Sequence, residues 1–188
     1  MSSRTFFVSD THWGHQATLG PRLGLNRPFA TIEEHDEALI ARWNAAVGSN
    51  DIVWHLGDFC YRCPEDRART IFARLNGRQR FLVRGNHDRI GARLPWDGIF
   101  DVARVLVPLP DGTVQGVWCS HWAYRVRPRK NRGDIHLYGH SHGRLPGTGT
   151  STDVGVDCFD FRPVMLDEIR VRLAENAVSE RPRPEGGA

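Results

Sequence analysis

Short β-prone runs that each stop at a polar cluster constrain this chain more than any other feature of it. Thr5-Phe6-Phe7-Val8-Ser9 stops at Asp10-Thr11-His12, Ile52-Val53-Trp54-His55-Leu56 at Gly57-Asp58, and Phe81-Leu82-Val83 at Gly85-Asn86-His87-Asp88. Runs this short and apolar read as buried strands, so the polar residues fall in loops along one rim. Two helical patterns separate them. Thr31-Ile32-Glu33-Glu34 reads as a capping box, opening a helix whose stripe carries Ile32, Leu39, Trp43 and Val47 before a stop at Gly48. Pro64 to Leu75 reads as a second helix, with Pro in its first turn and Gly77 past its end.

The second half is richer in strands: Val102 to Val107, a turn at Pro110-Asp111-Gly112-Thr113, Val114 to Cys119, Ile135 to Tyr138, Thr152 to Val156, and Pro163 to Leu166. A closing helix covers Asp167 to Ala177. Alternating αβ units followed by hairpin-like strands predict an α/β fold of two mixed sheets packed face to face, with helices outside. The 188 residues suit one domain, read as 1–178. The tail 179–188, rich in Pro, Gly and charge, reads as disordered.

Eight groups able to meet a metal or its substrate occur in five clusters at strand ends: Asp10 and His12, Asp58, Asn86 and His87, His121, and His140 with His142. On an extended segment, residues two apart project to one side, so Asp10 with His12, or His140 with His142, can grip one ion. Gly57, Gly85 and Gly139 precede three of the clusters, as tight turns near an ion require. Imidazole, carboxylate and amide oxygen together suit first-row divalent ions better than an all-oxygen Ca²⁺ or Mg²⁺ cage. Mn²⁺ is the expected ion, with Fe²⁺, Zn²⁺ and Ni²⁺ as alternatives.

Taken in order, Asp10-Thr11-His12, Gly57-Asp58, Gly85-Asn86-His87-Asp88, His121 and Gly139-His140-Ser141-His142 resemble the five motifs of calcineurin-like metallophosphoesterases. Arg27-Pro28-Phe29 and Val154-Gly155-Val156-Asp157 extend the resemblance to small bacterial and phage members. The resemblance implies the family's two-sheet fold and two divalent ions. Asp10, His12 and His142 would hold one ion, Asn86, His121 and His140 the other, and Asp58 would bridge them. It further implies attack on phosphorus by a hydroxide shared between the ions, with His87 protonating the departing alkoxide and Asp88 orienting the His87 ring.

Other residues carry weaker signals. Arg84 and His15 are candidates, with Asn86, for contact with substrate phosphate. His55 reads as a structural hydrogen-bonding residue and Asp157 as a supporting carboxylate. His35 and His136 read as packed or surface histidines. Cys60 and Cys63, with Cys119 and Cys158, are read as free thiols rather than a zinc site. The basic stretch Arg125 to Arg132, flanked by Trp122 and Tyr124, reads as a solvated loop near the site, with phosphate steering as its functional alternative.

A net charge of +3 and 40% hydrophobic residues exclude a disordered chain. No apolar run approaches the roughly 20 residues of a membrane-spanning helix. The expected partner is a phosphate ester, with nucleotides included and nucleic acid less favoured, and the expected compartment is the cytoplasm. The competing functions are a nuclease or nucleic-acid end-processing enzyme, and a metal-binding scaffold without catalysis.

Overall fold

The computed structural model describes residues 3–179; the tail expected to be disordered lies outside them, apart from Ser179, which ends a helix. Among the described residues nine strands form two sheets. The first contains β1 (Thr5–Val8), β2 (Ile52–His55), β3 (Gln79–Val83), β4 (Gly98–Phe100) and β9 (Val164–Met165), in the order β4-β3-β2-β1-β9. Strands β1 to β4 run parallel and β9 antiparallel to β1. The second contains β5 (Val102–Pro108), β6 (Val114–Ser120), β7 (Ile135–Tyr138) and β8 (Ser151–Asp153) in sequence order, antiparallel only between β5 and β6. Both sheets are therefore mixed, as expected.

The strand period of two separates two cores. Phe6 and Val8 of β1 face a cluster with Leu39, Ile40 and Trp43 of α1 (Ile32–Ala46) and Ile71 and Phe72 of α2 (Glu65–Arg74). Phe7 faces the other way, into a cluster shared with Val105, Val117 and Leu137 of the second sheet. The same cluster takes Ile169 and Leu173 of α3 (Leu166–Ser179), which packs on the edge strands β8 and β9. Burying each such apolar side chain contributes about 1.5–3 kcal/mol, so the sandwich interior is a rigid platform for the loops above it.

Local signals explain most boundaries. The Thr31 side chain caps α1 by accepting from Glu34 N at 3.1 Å, but Glu34 reaches Ala30 N at 2.9 Å instead of closing the expected box on Thr31. Pro64 is the residue before α2 rather than within it. Strand β8 starts at Ser151 and ends at Asp153, earlier than expected, because the Asp153 side chain accepts from Gly155 N at 2.7 Å and turns the chain. The turned segment then bridges to the first sheet through Ser9 N to Val154 O (3.1 Å) and Val156 N to Ser9 O (3.0 Å). The sheets are thus joined immediately beside Asp10. Strand β4 was not expected; it is a three-residue edge strand whose Ile99 and Phe100 stay exposed. Among the described residues no helix is long and apolar enough to cross a membrane.

Candidate metal centre

The loops after β1, β2, β3, β6 and β7 meet on one rim, and side-chain geometry sorts their candidate ligands into two groups. Asp10, His12 and His142 bring donor atoms within 4.8 Å of one another, as do Asp58, His121 and His140. The Asp58 carboxylate lies between them, with Oδ2 3.6 Å from His12 Nε2 and 3.4 Å from His121 Nε2. Asn86 Oδ1 stands 3.1 Å from His121 Nε2, on the side of the second group.

The backbone at these positions differs from the extended path expected. Asp10, His12, Asp58, His140 and His142 have φ between 49° and 66°, the left-handed region, so alternation along a strand does not aim the Asp10–His12 and His140–His142 pairs. Holding non-glycine residues there costs of order 1 kcal/mol each or more, a pattern common at functional sites. Tertiary bonds hold the conformation: Asp10 N donates to Gly57 O (3.0 Å), His12 N to Asp58 O (3.0 Å), His140 N to Asp10 Oδ2 (2.9 Å) and His87 N to Asp58 Oδ1 (2.8 Å). Two glycines are required by proximity: a Cβ on Gly139 would lie 1.9 Å from Ser9 Oγ, and one on Gly85 would lie 2.2 Å from Asp58 Oδ1.

Several features fit these residues to divalent cations. Asp10 Oδ1 and His12 Nε2 are buried without a hydrogen-bond partner, although they are only 3.9 Å apart. Burial pushes the Asp10 carboxyl up to about 7, as expected of an acid lacking its counter-charge. Burial, helped by the charge of Arg27, drives His12 well below the ordinary imidazole value, into the neutral form that binds metals. Burial lowers His121 as well, but its hydrogen bond to Asp58 and the charges of Asp58 and Asp10 outweigh this and raise it to about 9. A cation held by His121 would displace that proton.

A further layer aims the imidazoles. Asp157 accepts from His142 Nδ1 at 2.8 Å, and Leu56 O accepts from His121 Nδ1 at 2.8 Å, leaving each Nε2 toward the centre. Arg27, 2% exposed, donates to both Asp157 oxygens at 2.8 Å and to the carbonyls of Asp10 (2.7 Å) and Thr11 (2.9 Å). The supporting carboxylate is thus Asp157, and Arg27 is its buried partner. His55 bonds Thr11 Oγ1 at 3.0 Å and accepts from Gly57 N at 3.2 Å, the structural role expected of it. His35 is likewise internal, between Arg27 and Asp36, both at 2.9 Å.

Two expectations about the rim are revised. Asp88, 3% exposed, does not turn the His87 ring: its Oδ2 accepts from Asp58 N (2.8 Å) and Gly85 N (2.7 Å), and its Oδ1 from Phe59 N (2.8 Å). It clamps the β2 and β3 loops together. Arg84 is held by Asp101 (2.7 Å) and lines a separate cleft with Arg89 and Trp122. Within the basic loop, Arg127 is buried against Thr150 O at 2.7 Å, Arg129 pairs with Asp134, and Tyr124 stacks on His136 at 5.7 Å. Trp122 remains exposed, with its ring 6.3 Å from His140. Cys60 and Cys63 are buried thiols, Cys63 pushed up to about 11 by burial.

His87 and His15 do line the cavity over the centre, of about 380 Å³, together with His12, Asp58, Asn86 and His140. The Tyr61 ring lies 4.1 Å from that of His87 and 4.8 Å from that of His15. Tyr61, Arg22, Arg62 and Arg144 also line it and were not singled out from sequence. No local pattern distinguishes these arginines in a chain with 25 basic residues.

The profile of the family described as calcineurin-like phosphoesterase matches residues 3–121. An uncharacterized protein of Methanocaldococcus jannaschii is 30% identical over 173 residues, covering 92% of both chains. The gene 66 protein of Mycobacterium phage D29 is 32% identical, covering 89% of this chain and 94% of its own. A crystal structure of an Aquifex aeolicus protein of unknown function superposes with a TM-score of 0.65 at 20% identity, over 89% of this chain and 98% of that one.

Proposed function

This chain belongs to the calcineurin-like phosphoesterase family, whose chemistry is metal-dependent phosphate-ester hydrolysis, and we propose that it cleaves small or nucleotide-like phosphate esters in the cytoplasm at a two-cation centre. The observation that carries this reading is the Asp58 carboxylate, poised 3.6 Å and 3.4 Å from imidazole nitrogens of two separate ligand groups. Asp10, His12 and His142 would hold one cation, Asn86, His121 and His140 the other, and Asp58 both. When bound, the cations supply Lewis acidity toward the phosphoryl oxygens and a water of lowered pKa; Mn²⁺ is the ion of choice.

The residues of the chain perform the rest. Half-buried His87 lines the cavity, packs against Tyr61, and has its backbone fixed on Asp58 Oδ1. In this reading its imidazolium protonates the leaving oxygen. His15, lowered by burial to about 4, is neutral and contacts His12 through the two Nδ1 atoms at 3.4 Å, which steadies that ring. Diester and monoester cleavage both fit the open cavity. A second reading, processing of nucleic-acid ends, rests on exposed Trp122 as a base-stacking surface and requires salt-sensitive binding of single strands.

The test is hydrolysis of bis-p-nitrophenyl phosphate and p-nitrophenyl phosphate by metal-stripped protein resupplied with Mn²⁺, beside Asp58→Asn. Metal-dependent turnover lost in the variant supports the two-cation hydrolase. Metal-loaded protein inert toward both esters with every first-row ion rejects it for generic substrates.

A further inference from the structure

The cavity over the metal centre is asymmetric in charge. Apart from Asp58, which faces the metal ligands, its lining contains no carboxylate, yet it contains Arg22, Arg62 and Arg144. Several arginines elsewhere on the surface are neutralised, as in Arg42–Asp160, Arg74–Glu37 and Arg84–Asp101. Among the described residues Arg22, Arg62 and Arg144 form no ion pair with any acid. All three are exposed and line the cavity rather than the core.

Their placement follows from the ligand loops. Arg22 sits in the short turn Pro21–Leu23 after the first motif, Arg62 four residues beyond Asp58, and Arg144 two residues beyond His142. Three of the five loops that carry the candidate ligands therefore also deliver a guanidinium to the same rim. Arg144 donates to Leu23 O, which ties the last loop to the first. Arg62 adopts φ 53° and places its guanidinium 5.4 Å from the centre of the Tyr61 ring, beside His87. Arg22 and Arg62, with His15 and Ala17, also line an adjoining cavity walled by Leu19 and Phe29. A ligand can thus extend from the metal centre past two unpaired guanidiniums onto an apolar wall.

We propose that Arg22, Arg62 and Arg144 form a second anion subsite beside the metal centre, which selects small phosphate esters carrying another phosphate group besides the one cleaved. Planar guanidiniums suit a phosphate through paired N–H donors, and a site this close to the surface gains about tenfold in affinity from them rather than many orders. The assignment rests on the hydrolase reading above for which phosphate reacts, but the anion subsite itself does not require turnover.

Binding of thymidine 3′,5′-bisphosphate and thymidine 5′-monophosphate to Mn²⁺-loaded protein, measured by calorimetry at low salt, tests it. The bisphosphate should bind about tenfold tighter, the preference should shrink with ionic strength, and Arg22→Gln/Arg62→Gln should abolish it. Arg22→Lys/Arg62→Lys should keep part of it, and the melting temperatures identify any variant that fails to fold. Equal affinities in the wild-type protein, or a preference kept by the double glutamine variant, overturn the subsite. In the kinetic arm, p-nitrophenyl esters of thymidine 5′-phosphate with and without a 3′-phosphate should differ chiefly in KM. A bisphosphate preference without cleavage of either ester would retain the subsite and reject the hydrolase. A pentathymidylate bearing the same ester, if preferred over the mononucleotide by a further tenfold, would overturn the restriction to small substrates.

Discussion

Asp88→Asn separates two roles for a residue adjacent to the proposed acid. The Asp88 carboxylate receives three backbone N–H groups, two on Oδ2 and one on Oδ1. An asparagine oxygen in the Oδ2 position keeps the bonds from Asp58 N and Gly85 N, while its NH₂ group then faces the N–H of Phe59. One hydrogen bond is lost and a buried donor is left unsatisfied, a cost of about 2–3 kcal/mol. Burial raises the Asp88 pKa against the pull of the Gly85 and Phe59 amides, so its charge is itself costly and a neutral amide relieves part of that. The lower figure, about 2 kcal/mol, follows, and for a chain this size the melting temperature falls by about 4–8 °C. Because Asp58 N is one of the clamped amides, the substitution disturbs Asp58 before it reaches His87. Hydrolysis of alkyl and nitrophenyl esters should therefore fall by the same factor, measured as kcat/KM on both substrates beside a thermal melt. An unchanged melting temperature with a loss confined to alkyl esters would refute the clamp and restore Asp88 as the orienter of the His87 ring.

His87→Ala should show the complementary profile, reducing alkyl-ester hydrolysis by about 10²–10⁴-fold and nitrophenyl-ester hydrolysis far less, since a nitrophenolate leaves without a proton. Equal losses on the two ester classes reject the acid role. Asp157→Asn weakens the orientation of His142 and should lower metal affinity by about 10–100-fold in a chelator competition; unaltered affinity shows that the contact is incidental. His136, lowered to about 4 by burial, is protonated more readily in the unfolded chain, so its contribution is complete above the unfolded value of 6.5 and is lost as pH falls toward 4. Asp10, raised to about 7, acts in the opposite direction in metal-free protein, so the measured quantity is the stability gap between wild type and His136→Gln. That gap should narrow by about 2 kcal/mol between pH 7 and pH 5 in urea melts, and a constant gap contradicts the burial argument.

Much of this architecture is legible in one dimension because strand ends and ligand types are local properties. The β1, β2 and β3 runs, the α1 and α2 patterns, and the turn between β5 and β6 all follow from periodicity and Gly or Pro placement. Misreadings occur where a distant contact decides. The backbone around Asp10 and His140 looks extended, yet bonds from Asp10 N to Gly57 and from His140 N to Asp10 hold both residues left-handed. Arg84 precedes a ligand cluster and looks poised for phosphate, but Asp101, seventeen residues away in sequence, takes its guanidinium.

The sequence by itself determined the two-sheet architecture, the loops that carry the candidate ligands, and the chemical types of those residues, because each is encoded within a few neighbouring residues. Only the tertiary structure decided which ligands stand together, that Asp58 lies between two groups, and that Asp88 braces backbone while Arg27 and Asp157 brace His142. It alone separated the arginines free to meet an anion from those already paired. A guanidinium's partner is chosen by distance and burial in the folded chain, and neither is written in the residue's own neighbourhood.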